Sequence, residues 1–327
     1  MNIVYTLNDK FVPQVAAGIV SLCENNKACD RINFYVVSSG ISLKNKRELE
    51  KLVKKYERFI DIIELGDVEQ YFDFEVDTNG WNPIVLARLL LDKILPKEVH
   101  RVIYLDGDTI VRRDIWDLWN FNLDGKTLGM SIEPTIDKKR IKILNLGDFP
   151  YCNAGVILID LDRFKKIEAG RRIIEYYRKY DGKLFANDQD AINGSMKEEI
   201  QIISPKYNFY NIFTQYSYRF LCKIMKPKKY IDKEMFMDAK ADPAIIHYLG
   251  EERPWRKWNT HKYKKDYEKY LRMTVWKDTP FEEGWLLYFT CFKIFNTLTK
   301  PFPMIRHKII NSLIPTFMKI RKKQLKK

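Results

Sequence analysis

The feature that most constrains this chain is an alternation of short apolar runs with helix-like segments over its first 165 residues. Helical periodicity is found at 13–26, 42–58 and 84–95, the last ending before Pro96. Strands joined through helices need crossover connections, so the sequence predicts a mostly parallel sheet flanked by helices. Ligands bind beyond the carboxyl ends of the strands in such sheets. The predicted strands are 2–6, 32–38, 59–64, 101–105, 128–132 and 155–159.

The charge of the chain is concentrated at its end. Of the net charge of +14, residues 284–327 supply ten Lys or Arg and no acid, whereas the 47 basic and 43 acidic residues before them nearly balance. We therefore expect a main domain at 1–260 and a basic extension at 261–327. Seven aromatic residues interleave with the ten cations, which favours binding to an anionic membrane surface. A tail packed on its own domain and an RNA-binding arm are the alternatives, and the balanced charge of the domain argues against a nucleic-acid partner.

The cysteines and the apolar segments bear on location. Five cysteines form no C-x-x-C pair, which is typical of free thiols in a reducing cytoplasm. No basic and apolar leader opens the sequence, and no apolar stretch approaches the roughly 20 residues of a spanning helix. We expect a cytoplasmic protein that is peripheral at the inner face of a membrane.

Two carboxylates follow the predicted strand 101–105. Asp106 and Asp108 are separated by Gly107, so both leave the sheet edge on the same side, where a ligand would lie. Paired carboxylates suit a hard divalent cation, which in turn binds a diphosphate. The pattern alone is weak, because D-x-D recurs at Asp160 and at Asp188, and the copy at Asp160 is better explained as a helix cap. Glycine-rich dinucleotide and P-loop motifs are absent from the sequence.

Four blocks taken together are more specific. They resemble, in order and separation, the retaining glycosyltransferases of family eight, a group that includes bacterial lipopolysaccharide galactosyl- and glucosyltransferases. The resemblance covers about residues 1–260 and implies a glycosyltransferase-A type sheet and a UDP-sugar donor. The blocks are YLDGD at 104–108, CNAGV at 152–156, NDQD at 187–190 and HYLGEERPW at 247–255.

The resemblance also implies a metal site. Asp106, Asp108 and His247 look like the ligands of Mn²⁺, with Mg²⁺ as the alternative ion, bridging the pyrophosphate of UDP. Taken alone, a single histidine is more often a surface or core residue. Manganese accepts an imidazole ligand more readily than magnesium does. Arg253 stands where the family usually has Lys, and its fork can bind two phosphate oxygens at once.

The resemblance implies a set of donor contacts as well. The segment 5–11 corresponds to the nucleotide-binding loop of the family, but Asn8 replaces an acid and Lys10 replaces an amide. Arg88, in the segment Ala87-Arg88-Leu89, matches an arginine that contacts the donor, although an Arg flanked by Leu on a helix is otherwise a surface residue. Asn153 suits a hydrogen bond to sugar hydroxyls. The full predicted donor set is Thr6, Asn8, Asp9, Arg88, Asp106, Gly107, Asn153, Ala154, Gly250 and Arg253.

Catalysis is predicted at the third block, where Asp188, Gln189 and Asp190 would surround the donor sugar. We favour same-face attack, with the leaving pyrophosphate accepting the acceptor's proton, over double displacement through a covalent intermediate. Residues 77–83 are the candidate acceptor loop. The function implied is transfer of glucose or galactose to a glycan or lipid-linked saccharide, and the alternative is an inactive sugar-nucleotide-binding protein.

Overall fold

The central feature of the fold is a seven-stranded sheet with the order β3-β2-β1-β4-β7-β6-β8. The computed structural model describes residues 1–225 and 231–325, with 317–325 described by backbone alone. All neighbours pair in parallel except β7, which runs antiparallel to both β4 and β6, so the predicted mostly parallel sheet is confirmed. The strands are β1 Asn2–Leu7, β2 Asn33–Ser38, β3 Phe59–Glu64, β4 Arg101–Leu105, β5 Thr109–Val111, β6 Leu128–Ile132, β7 Cys152–Asp160, β8 Ile200–Ile202 and β9 Ile245–His247.

Helices cover both faces of this sheet. The α-helices are α1 Val12–Asn25, α2 Leu43–Lys55, α3 Leu91–Ile94, α4 Trp116–Trp119, α5 Lys138–Ile143, α6 Leu161–Lys166, α7 Ala169–Arg178, α8 Asn187–Met196, α9 Asn211–Gln215, α10 Tyr218–Ile224, α11 Lys233–Ala241, α12 Lys264–Leu271, α13 Leu286–Thr299 and α14 Pro303–Leu325. Short 3₁₀ helices lie at Asp9–Phe11, Val68–Tyr71, Pro83–Leu90, Lys197–Glu199 and Pro205–Tyr207.

The local sequence explains these elements. Residues 3–7 of β1 are all buried, as expected for a strand covered on both faces. Pro13 lies in the first turn of α1, where its missing N–H costs nothing. The Ser42 side chain caps α2 by accepting a bond from the Asn45 amide. Asp160 likewise caps α6, as its sequence context predicted.

Two predicted elements differ from the structure. The single helix expected at 84–95 is a 3₁₀ helix, Pro83–Leu90, followed by the short α3, because Leu90 leaves helical geometry at φ −113° and ψ 12°. The strand expected at 155–159 is longer and begins at Cys152, so Asn153 and Ala154 are themselves strand residues. The second change places two candidate site residues, Asn153 and Ala154, within the central sheet.

The last part of the chain packs against the main domain. α12 lies beyond the predicted boundary at residue 260, yet Tyr267 and Tyr270 belong to the main core, and the Tyr270 hydroxyl bonds Asn25 of α1 at 2.7 Å. The Arg256 guanidinium lies 3.5 Å from the centroid of the Trp285 ring. Within the described residues, no helix combines the length and apolar character needed to cross a membrane. The aromatic residue of the tail at position 317 lies outside the described side chains.

Candidate active site

A cavity of about 610 Å³ opens at the carboxyl ends of β1 and β4. This position is the one expected for a ligand site in a sheet of this kind. Three of the predicted residues, Asp9, Asp190 and Gly250, are not among its lining residues. The other predicted residues line it together: Thr6, Asn8, Arg88, Asp106, Gly107, Asp108, Asn153, Ala154, Asp188, Gln189, His247 and Arg253.

The two carboxylates and the histidine of the predicted metal site converge in this cavity. Thr109 of β5 pairs with His247 of β9, which brings the histidine beside Asp108. Its Nε2 atom lies 3.3 Å from an oxygen of Asp108 and 3.8 Å from one of Asp106. One potential ligand atom from each of the three residues lies within 4.8 Å of the others.

Electrostatics favour the ionised form of this cluster. Burial opposes ionisation of Asp108, but His247 and Arg253 outweigh it and hold the pKa of the carboxyl below its usual value. Burial also opposes a charged His247, but Asp108 outweighs it and raises the pKa of the imidazole. Metal ligation requires the neutral imidazole, so a divalent cation would compete with this proton for His247.

The fold also makes room for the imidazole. A Cβ atom added at Gly155 would lie 2.2 Å from Cε1 of His247, so the ring can only pack here across a glycine. Two carboxylates and one imidazole, held on strands and an adjoining turn, form a donor set that fits Mn²⁺ or a similar ion.

Arg88 is buried at the centre of the site rather than exposed on a helix surface. Its guanidinium contacts Asp106 at 3.1 Å and Asp188 at 2.8 Å, and it donates to the Ala154 carbonyl at 2.7 Å. The group lies over the Tyr104 ring, 4.5 Å from its centroid. Burial raises the pKa of Asp188 to about 6, although Arg88 acts against this shift.

Gln189 and Asp190 differ in what they present to the cavity. The Gln189 amide lines it and is held at both ends, accepting from the Ala154 amide at 3.0 Å and donating to the Tyr151 hydroxyl at 2.9 Å. Asp190 is only 1% exposed and accepts bonds from Tyr151 at 2.6 Å, Arg140 at 3.2 Å and the Ala186 amide at 2.9 Å. Gln189 is therefore the one of the pair that faces a ligand.

Arg253 brings a cation to the same cavity. Its guanidinium carbon lies 5.5–5.8 Å from the ring centroids of Phe11, Trp81 and Trp255. Its Nη2 is 3.7 Å from Asp108, and its buried Nε has no hydrogen-bond partner in the described structure. The aromatic faces hold the guanidinium at the cavity wall, where its positive charge attracts anions.

Two predicted donor residues, Asp9 and Gly250, do not line the cavity. Asp9 accepts bonds from the Ser42 amide and from Asn45, both at 2.8 Å, and so ties the end of β1 to the start of α2. Gly250 has a φ of +86°, a left-handed conformation that glycine adopts without strain, in the loop that leads from His247 to Arg253. Their predicted contacts with the donor stay predictions.

Several residues of the site were assigned no role from the sequence. Tyr104 bonds both Asp106 and Thr6 at 2.9 Å, and Arg140 and Tyr151 form the surroundings of Asp190. Tyr104 is part of the block at 104–108, whereas Arg140 of α5 and Tyr151, just before β7, lie in no motif. Trp81 of the candidate acceptor loop also lines the cavity.

A comparison with protein families decides what this arrangement is. The model of glycosyl transferase family 8 matches residues 2–259, which span almost the whole sheet and all the cavity residues up to Arg253. The chain belongs to glycosyltransferase family 8. It is therefore a glycosyltransferase, as the four sequence blocks predicted.

Individual relatives agree with this assignment. General stress protein A of Bacillus subtilis is 26% identical over 280 residues, covering 84% of this chain and 94% of that protein. Lipopolysaccharide 1,2-glucosyltransferase of Escherichia coli is 24% identical over 284 residues, covering 85% and 79%. The structure of galactosyltransferase LgtC with donor and acceptor sugar analogs has a TM-score of 0.72 at 23% identity, covering 87% of this chain and 99% of that one. That structure shows a shared fold.

Proposed function

We propose that this enzyme is a retaining hexosyltransferase that moves glucose or galactose from a UDP-sugar to a glycan or lipid-linked saccharide with the help of Mn²⁺. The observation that carries the proposal is the convergence of Asp106, Asp108 and His247 in a cavity that also holds the arginine cation of residue 253. Relatives named as lipopolysaccharide glucosyl- and galactosyltransferases support a hexose and a saccharide acceptor.

The residues of the site have different roles in the proposed reaction. A divalent ion, when bound by the three ligands, supplies a Lewis acid that stabilises negative charge on the leaving diphosphate. Arg253, which lines the same cavity, would bring a fixed positive charge to that diphosphate. Gln189 presents its fixed amide to the donor sugar, whereas the buried Asp190 holds Arg140 and Tyr151 in place. This arrangement favours same-face attack, because the carboxylate of Asp190 is enclosed by its partners.

The test is UDP release from UDP-glucose and UDP-galactose in the presence of Mn²⁺, with and without a saccharide acceptor. Asp108→Asn should abolish transfer because it removes a charged ligand, and EDTA should do so reversibly. Asp162→Asn is the matched control, since it changes the last carboxylate of another D-x-D on the exposed surface. The anomeric proton of the product should show the small coupling of an α-linkage. Full activity in EDTA would refute the metal, a β-linked product would refute retention, and donor binding without turnover would favour the inactive binding protein.

The C-terminal helices support a second part of the proposal, attachment to the cytoplasmic face of an anionic membrane. α13 and α14 expose large apolar side chains among the cations Lys293, Lys300 and Lys308. Apolar burial and attraction to anionic lipid act together on such a surface, the latter at about 1 kcal/mol per cation. The exposed apolar residues are Leu286, Leu287, Ile294, Leu298, Phe302, Ile305 and Leu313.

Point substitutions test this attachment better than truncation, because Ile314 of α14 lines the cavity and Arg306 is buried. Leu287 and Leu298 are 76% and 68% exposed. Changing both to Gln should reduce sedimentation with vesicles of anionic lipid and leave transfer to a short soluble acceptor intact. Leu43→Gln, at a leucine 72% exposed on α2, is the control and should sediment normally. If the wild type, the Leu287/Leu298 double variant and Leu43→Gln all sediment equally, the exposed leucines of the C-terminal helices do not attach the protein to the membrane.

A further inference from the structure

Asn208 connects the predicted metal site to a predicted donor residue. It follows the 3₁₀ helix Pro205–Tyr207 and is completely buried. Its Oδ1 atom lies 2.9 Å from Nδ1 of His247, and its Nδ2 donates to Oδ1 of Asn153 at 2.9 Å. A single amide thus contacts one candidate metal ligand and one residue of the cavity wall.

A backbone amide determines which atom donates and which accepts in each hydrogen bond of this series. The Gly155 amide can only donate, and it donates to Oδ1 of Asn153 at 3.0 Å. Because that oxygen is the acceptor, Asn208 must offer its NH₂ group to Asn153 and its oxygen to His247. The Nδ1 atom of His247 therefore carries a proton, and in the neutral ring the lone pair is on Nε2, the atom that faces Asp106 and Asp108.

The same bonds decide what Asn153 presents to a ligand. Its oxygen is occupied by two donors, so its Nδ2 group is what it offers to the cavity that it lines. A hydrogen-bond donor suits a hydroxyl oxygen of a sugar. Asn208, which does not line the cavity, thus sets the tautomer of His247 and supports the orientation of Asn153 that the Gly155 amide determines.

We propose that Asn208 is a positioning residue that couples metal binding by His247 to recognition of the donor sugar by Asn153. This inference rests on the proposed function, since it concerns the same metal and donor. Bonds that orient a metal-ligating histidine are typically worth about 10–100-fold in metal affinity or activity.

Two substitutions separate the two halves of the coupling. Asn208→Leu removes both bonds and should raise the Kd for Mn²⁺, measured without donor by the EPR signal of the free ion, about 10–100-fold. Asn208→Asp keeps an acceptor for the Nδ1 proton but cannot donate to Asn153. It should hold the Kd for Mn²⁺ within about threefold, as carboxylates commonly support metal-bound histidines. Its KM for the sugar nucleotide should rise, whereas its affinity for UDP, which has no sugar, should stay normal.

A matched control distinguishes positioning from simple stability. Asn26 is also completely buried, and its amide likewise donates one bond, to the Leu22 carbonyl, and accepts one, from the Ile115 amide, both at 2.9 Å. In EDTA, Asn26→Leu should lower the melting temperature about as much as Asn208→Leu does. Unlike Asn208→Leu, it should leave the Kd for Mn²⁺ unchanged.

The outcomes are distinct. If wild-type protein binds Mn²⁺ and Asn208→Leu binds it equally well, Asn208 is only structural and the coupling is refuted, although the proposed function stands. If Asn208→Leu and Asn208→Asp lose Mn²⁺ affinity equally, the bond to His247 does not act on the metal independently of the bond to Asn153. Wild-type protein that binds no Mn²⁺ would refute the metal of the proposed function together with this inference.

Discussion

Arg88 offers the sharpest test of the electrostatics of this site. Its buried guanidinium lies between the carboxylates of Asp106 and Asp188, with the side chain of Asp188 only 7% exposed. Arg88→Met keeps the length and apolar contacts of the side chain and leaves Asp188 without its cation. Removing one partner of a buried ion pair costs about 3–5 kcal/mol, so we expect the free energy of unfolding to fall by that amount at pH 8.

The loss should depend on pH in a defined direction. Burial raises the pKa of Asp188 to about 6, above the unfolded value, so the folded protein takes up the proton more readily and its stability falls as pH rises through this range. Loss of Arg88 raises this pKa further, and each additional unit costs about 1.4 kcal/mol at pH 8. At pH 5 the carboxyl is mostly neutral in both proteins, so the difference between them should shrink.

A double variant separates the charge from the hydrogen bonds. Arg88 also donates to the carbonyls of Val85 and Ala154, and their loss costs roughly 1 kcal/mol each at any pH. The double variant Arg88→Met, Asp188→Asn should therefore regain the pH-dependent part of the lost free energy of unfolding. It should still lack the smaller contribution of the two hydrogen bonds. Urea denaturation at pH 5 and pH 8 in EDTA measures the free energy of unfolding of the wild type, Arg88→Met, Asp188→Asn and the double variant. An equal loss at both pH values, or no recovery in the double variant, would refute the reasoning.

Two further substitutions test how the site is built. Gly155→Ala places a methyl group 2.2 Å from the His247 ring and should lower transfer about 100-fold by displacing the ligand, with a matching loss of Mn²⁺ affinity; normal kinetics would show that the ring can move aside. Asp9→Ala removes two bonds to the start of α2 and should cost about 1–3 kcal/mol in urea denaturation with no change in the KM for the donor. A tenfold rise in that KM would instead support the donor contact predicted from the sequence.

Much of the sheet could be predicted because β1, β2 and β4 are buried on both faces and appear in the sequence as largely apolar runs. The edge strand β3 is only half-buried, and the carboxylates of Asp106 and Asp108 follow β4 directly. Residues that directly follow a strand lie at its carboxyl end, so residues 106–108 could be placed at the edge of the sheet where ligands bind. The antiparallel direction of β7 had no such signal, since a buried run reads the same in both directions.

The partners within the site could not be predicted, because they come from distant segments. Asp190 is enclosed by Arg140 and Tyr151, which are 50 and 39 residues away, and Asn208 reaches His247 across 39 residues. Residues 197–225 form short helices and one three-residue strand with little periodicity, so the sequence could not place Asn208. Arg88, read as a surface residue when taken alone, is buried because two carboxylates from other elements compensate its charge.

Charge compensation also explains why metal and donor would bind together. Five acidic residues line the cavity, Asp106, Asp108, Glu133, Asp188 and Glu282, against four cations, Lys10, Arg88, Arg140 and Arg253. The set sums to one negative charge with His247 neutral and to zero with His247 protonated, so the side chains alone offer a diphosphate no net positive charge. The divalent ion that we propose would make the sum positive, and a diphosphate would then be attracted to a partly enclosed site where charges interact more strongly than in water. We therefore expect tight binding of the donor to require the ion.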